Sequence, residues 1–211
     1  TQRILESAKK MNNLKKIVMA SSSSIYGNQE GIMKENETIP KPISPYGTTK
    51  LASENLGITY ASNYELPITS LRYFTVYGPR QRPDMAFSKF IQANLRQKEV
   101  TIYGNGNQSR DFTFISDIVD ANIQASKSSI HGNVLNIGGG NIHSVNEVID
   151  MIENITKIKS QIIFAPMQKG DVFRTESDIT NAKKIIGYNP KICLKNGLEE
   201  QIKYLENQNI N

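Results

Sequence analysis

Short apolar runs and longer helical segments take turns along this chain, and that alternation constrains its fold more than any other feature. Gln2–Met11 reads as the end of a helix, with Ile4, Leu5 and Ala8 on one face. Lys16–Ala20 (KIVMA) reads as a short buried strand, Pro45–Tyr64 as a helix, Pro67–Tyr73 as a strand and Met85–Gln97 as a helix. Val100–Tyr103 and Phe112–Ile115 are extended, Ser116–Ser126 helical, Val134–Ile137 a strand and Val145–Ile155 a helix. Ile162–Phe164 then predicts a strand, and two helices follow near Ile179–Ile186 and Leu198–Leu205. The pattern predicts an α/β fold on a mainly parallel sheet, which binds ligands at the carboxyl ends of its strands.

Composition narrows the class. A length of 211 residues with 38% hydrophobic content suffices for one large core or two modest lobes, and 21% charged residues do not suit a disordered chain. No apolar run approaches the ~20 residues of a membrane span and no signal segment opens the sequence, so a cytoplasmic protein without a membrane partner is expected. Cys193 is the lone cysteine, which excludes an internal disulfide. The net charge of +5 comes from scattered Lys and Arg, so nucleic acid is not an expected partner. A mildly cationic surface explains that charge, and so does a small set of cations meeting an anion such as a pyrophosphate. His131 and His143 lack a carboxylate or thiol cluster nearby in sequence, and no metal site is expected. Gly138-Gly139-Gly140 lacks a phosphate-loop spacing and reads as a tight turn.

The chemistry sits after the first strand. Ser21-Ser22-Ser23-Ser24-Ile25-Tyr26-Gly27 follows KIVMA, and Ser44-Pro45-Tyr46-Gly47-Thr48-Thr49-Lys50 opens the next helix. Ser44 suits a helix cap and Pro45 the first turn. Tyr46 and Lys50 are then i and i+4, on one face a turn apart. A free phenol, with a pKa near ~10, is a poor base at neutral pH. A neighbouring ammonium favours the phenolate and makes such a pair an acid/base fit for a sugar hydroxyl, with a strand-end serine to steady the same oxygen. A Tyr-x-x-x-Lys pair by itself is more often an exposed aromatic beside a solvated lysine.

The surrounding strings carry more. SSSSIYG, SPYGTTKLASE, LRYFTVYGPRQRPDMAF, TIYGNGNQSRDFTFISDIVDA, VLNIGGG and GDVFRTESDITNAKKIIGYNP occur in the order seen in extended short-chain dehydrogenase/reductases acting on nucleotide sugars, and the chain resembles that family over nearly its whole length. The resemblance implies NAD as cofactor and a UDP-sugar as substrate. It casts Tyr46 as base, Lys50 as its partner and nicotinamide-ribose contact, and Ser22 as the family's catalytic Ser/Thr. It places Tyr73 and Phe74 at the nicotinamide and Ser21 among the cofactor contacts. Arg110 would grip the pyrophosphate, Asp171 hold the uridine ribose, and Thr101–Tyr103, through Thr101 and Tyr103, meet the uracil. Dehydratases of the family carry Asp-Glu immediately after the catalytic Thr. Ser23 and Ser24 stand there, as sugar contacts with no acid/base capacity near neutral pH, which leaves epimerisation at C4.

TVYGPRQRPDMAF is similar to UDP-glucuronate 4-epimerases, in which the residues matching Thr75 and Arg82 recognise the sugar carboxylate. UDP-glucose and UDP-N-acetylglucosamine 4-epimerases are the alternatives. The implied architecture is a Rossmann-type doubly wound sheet from residues 1–82 and 106–140, with a smaller substrate lobe from residues 83–105 and 141–211. Family members dimerise through a four-helix bundle, here Thr1–Met11 with Pro45–Tyr64. They also open with strand–GxxGxxG–helix, a string this sequence lacks, so the chain is expected to be truncated at its start, and either inactive by itself or a non-catalytic sugar-nucleotide binder.

Overall fold

A computed structural model describes residues 1–168 and 170–208. Strands β1 (Ile17–Ser22), β2 (Ile68–Tyr73) and β6 (Asn133–Ile137) form a three-stranded, wholly parallel sheet in the order β1-β2-β6. Strands β3 (Thr75–Tyr77), β5 (Ser109–Phe114) and β7 (Asn141–Ser144) form a second sheet in which β5 pairs parallel with β3 and antiparallel with β7. Strands β4 (Glu99–Tyr103) and β8 (Gln161–Ala165) form a parallel pair. The α/β reading and its mainly parallel pairing hold, and β3 and β7 are additions to it.

The chain passes from the first sheet to the second at two neighbouring points. One is Phe74, whose backbone N–H donates to the carbonyl of Ile137. The other is Gly138-Gly139-Gly140, between β6 and β7. Only Gly140 has the positive φ of a turn glycine; a side chain on Gly138 would collide with Ser177 and Asp111, and one on Gly139 with the Phe112 carbonyl. The run is a seat for close packing more than a tight turn. The Gly139 N–H donates to Asp111 Oδ1, and Ser177 donates to Oδ2, so a fully buried carboxylate ties the crossing to the 174–178 segment. Burial pushes the Asp111 carboxyl above its ordinary range.

Helices α1 (Gln2–Ala8) and α2 (Pro45–Tyr64) cover one face of the first sheet, their Leu5, Ala8 and Tyr60 clustering with Leu66 and with Ile68 of β2. On the other face, α4 (Ile115–Lys127) packs Ile118, Ala121 and Ala125 on Leu71, Leu135 and Ile137. A second core joins α3 (Ala86–Leu95), α5 (Val145–Thr156) and α7 (Leu194–Gln208) around Val100, Ile102, Phe112 and Phe114. The sequence division runs differently at three elements. β3 and β5, read as part of the first unit, belong to the second sheet, and Tyr77, Phe112 and Phe114 enter the second core. Helix α6 (Thr180–Ile186), read as part of the lobe, packs Ala182 and Ile186 with α4 and β6 on the first core. In each case packing partners distant in sequence decide the allegiance.

Among the described residues, no helix is long and apolar enough to cross a membrane, and no group of three or more His, Cys, Asp and Glu is placed to hold a metal ion.

Candidate active site

Ser44 sets the start of α2: its Oγ accepts from the Gly47 N–H at 3.1 Å, with Pro45 in the first turn. That start lies at the carboxyl end of β1. A Cβ on Gly47 would be 2.5 Å from the Ser24 carbonyl oxygen, so the glycine admits the helix to the strand end. Tyr46 is 55% exposed there. Lys50 Nζ stands 5.8 Å from its ring centroid and donates to the Ala20 carbonyl at 2.9 Å. Ser22, buried at the end of β1, caps the short 3-10 helix Ser23–Ile25: its Oγ accepts from the Ser24 N–H and donates to the Ser24 hydroxyl. Tyr46, Lys50, Ser22, Ser23 and Ser24 are thus brought to one strand end.

Beside this strand end, a cavity of about 860 Å³ opens between α3, β4 and residues Gln168, Gly170 and Asp171. Thr75, Thr101, Tyr103, Arg110 and Asp171 line it, whereas Arg82, Ser23 and Ser24, also expected to meet the substrate, do not, nor do Tyr46, Lys50 and Ser22. The cavity wall approaches the start of α2 at two points. Gly170, on the cavity wall, comes within 3.5 Å of the Ile43 carbonyl when a Cβ is built on it. Asp84, also on the wall, accepts both ends of the Arg82 fork at 3.0 and 2.7 Å, and Arg82 lies close enough to Tyr46 for the phenol to bear on its ionisation.

Arg110 and Asp171, expected on different parts of one ligand, are bound to each other at 2.5 Å. Arg110 also donates to the carbonyls of Ser109, Val172 and Phe173, which fastens the 171–173 segment over β5.

Two expected cofactor contacts point elsewhere. Successive strand residues face opposite sides. Ser21 therefore faces α2, where its Oγ donates to Glu54 at 2.6 Å. Tyr73 lies on the face opposite Arg72, and its hydroxyl donates to Asn122 of α4 at 2.8 Å; burial raises its pKa. Phe74 is buried with Ile25, Tyr26 and Met33, packed against Leu51, so it supports the Lys50 turn from beneath.

The sequence reading missed Lys89, Arg96 and Lys98, which also line the cavity. Three cations within ten residues of an amphipathic helix and its exit were the available signal.

Residues 1–138 match the NAD dependent epimerase/dehydratase family, well over half of the chain. The chain belongs to that family. A Bacillus subtilis relative described as an uncharacterized UDP-glucose epimerase is 44% identical over 205 residues, 97% of this chain and 64% of the relative. The UDP-glucuronate 4-epimerase of Thermodesulfobacterium geofontis is 40% identical over 192 residues, 90% of this chain and 59% of its own length. Among solved structures, the UDP-glucuronic acid 4-epimerase of Bacillus cereus in complex with UDP-glucuronic acid and NAD superposes with a TM-score of 0.95 at 41% identity, covering 98% of this chain and 66% of that one. The chain therefore spans about 59–64% of the length of the two curated relatives named above.

Proposed function

We propose that this chain carries the proton-transfer and nucleotide-sugar-binding parts of an NAD-dependent UDP-sugar 4-epimerase, with UDP-glucuronate as the substrate favoured by its residues. The observation that carries this reading is an exposed phenol with an ammonium over its ring, at the carboxyl end of a parallel strand and beside a cavity of about 860 Å³. The nicotinamide-ribose half of NAD fits the groups at that strand end: a lysine held by a strand carbonyl, an open phenol and serine hydroxyls. When bound, NAD supplies the acceptor and donor of the C4 hydride.

The chain's own residues do the rest. Tyr46 takes the proton from the sugar O4 and returns it after the C4 hydrogen has been replaced from the opposite face. Lys50 stands by the phenol as its cationic neighbour, and Ser22 offers a hydroxyl on the strand side. Thr101, Tyr103, Arg110 and Asp171 receive the uridine diphosphate, which leaves the sugar toward Thr75 and Arg82. The Arg82 fork suits a carboxylate, and it already holds one on Asp84. Ser23 and Ser24 offer no carboxylate for the proton shuttle of a dehydration. For the assembly, α1 and α2 pack together and turn Ile4, Ile58 and Tyr64 outward, a face that supports a homodimer through paired helices.

The test is turnover of UDP-glucuronate, UDP-glucose and UDP-N-acetylglucosamine with added NAD, comparing Tyr46→Phe. Removing the phenol should lower kcat about 100-fold or more, with transient nicotinamide reduction and no net cofactor consumption in the parent. Stoichiometric cofactor consumption would overturn epimerisation.

A further inference from the structure

Tyr46, Lys50 and Glu54 stand at successive i, i+4 positions of α2. The proposed chemistry employs the first two and leaves the third without a task. Yet Glu54 is only 1% exposed, and a carboxylate that deep needs partners. Arg72 supplies a two-point fork, Nε to Oε2 at 3.0 Å and Nη2 to Oε1 at 2.6 Å. Ser21 Oγ adds a third bond at 2.6 Å. Arg72 extends the network by donating from Nη1 to the Tyr26 hydroxyl at 2.6 Å, and Tyr26 donates in turn to Asn136 Oδ1 at 2.8 Å. One helix side chain is thereby tied to β1, β2 and β6.

We infer that the Glu54–Arg72 pair is a positioning device: it fixes the rotation and rise of α2 so that Tyr46 and Lys50 meet the end of β1 in one arrangement. The inference rests on the acid–base reading of Tyr46. The other buried residues of α2 are Gly47, Gly57 and Tyr60. The glycines admit close approach, to the Ser24 carbonyl at one end and Met19 at the other, but a missing side chain cannot hold a helix against sliding or turning. A planar guanidinium–carboxylate fork is directional and does. Lys50 and Tyr46 lie ~6 Å and ~12 Å along the helix from Glu54, at ~1.5 Å per residue. A displacement of ~1 Å at a reacting group can cost ~100-fold in rate, so the fork's direction matters beyond stability.

The discriminating variant is E54L/R72M, which removes both charges together and strands neither in the core. In the 211-residue chain its thermal midpoint and the amide hydrogen exchange of α5 should match the parent, while exchange at residues 46–50 rises at least tenfold. In turnover of UDP-glucuronate with NAD, kcat should fall at least tenfold with KM within twofold. Parental exchange at 46–50 in the folded double variant overturns the inference. So does a uniform rise across α2 and α5, which marks a plain loss of stability. Should the double variant not fold, Ser21→Ala removes one tether and leaves the pair intact; a smaller rise confined to 46–50 supports positioning, and no rise overturns it. Full turnover by Tyr46→Phe would instead sink the acid–base reading, and the exchange data would still decide whether the pair holds the helix.

Discussion

Helix α2 lies on its sheet through Gly47, Gly57, Tyr60 and the charged Glu54, whereas α5 meets its neighbours through Val148, Ile149 and Ile152. Their ends are alike. Each begins with a serine whose Oγ accepts a backbone N–H in the first turn, Ser44 and Ser144, and each stops at a left-handed residue, Glu65 and Lys157. Their faces differ because their tasks differ. Apolar burial is non-directional and suffices where a helix has only to stay put. A helix that must aim two side chains at a strand end needs contacts that specify an angle.

That contrast can be broken at its strongest point first. Glu54→Ala leaves Arg72 charged and unpaired in the interior, and should cost about 3–5 kcal/mol. At ~2–4 °C per kcal/mol for a chain of this size, the thermal midpoint falls by roughly 6–20 °C. A cost below about 1 kcal/mol would mean that α2 is held by something else. Ile152→Ala, at a site 1% exposed, should cost somewhat less, about 2–5 kcal/mol by denaturant titration, and leave exchange at residues 46–50 unchanged relative to the rest of the chain. If the α2 amides loosen selectively instead, the two helices are coupled and the comparison fails. The smallest effects sharpen the likeness of the ends: Ser44→Ala and Ser144→Ala should each cost about 1 kcal/mol. A much larger loss at Ser44 would place part of the aiming in the cap.

Much of this was legible in the chain. Ser44-Pro45 announces α2, and the predicted Pro45–Tyr64 is the observed helix; the apolar stripe of α5 likewise brought its prediction within a residue. β3 and β7 escaped because three and four residues, with no inside–outside alternation, give a period of two nothing to register. The cavity residues Thr75, Thr101, Tyr103, Arg110 and Asp171 were reached through family strings, not spacing. Glu54 escaped because its partner is 18 residues away on a strand and a glutamate in a helix ordinarily faces water. Its place one turn beyond Lys50 was the only hint. The same cause moved Ser21 from a cofactor contact to a tether. Tertiary pairing of polar groups leaves no periodic trace, whereas apolar faces do.

The knot of Arg110 has a kinetic meaning. Its guanidinium is engaged by Asp171 and by the carbonyls of Val172 and Phe173, and the Phe173 N–H reaches back to Asn28. An anion arriving there does not add to a bare cation. On the proposed reading, a diphosphate bound at Arg110 would displace the Asp171 carboxylate, and the strap from 171 to 173 would have to let go first. Capture and release of a diphosphate would then share one gate, whose speed is set by the lifetime of an ion pair and whose opening salt should ease.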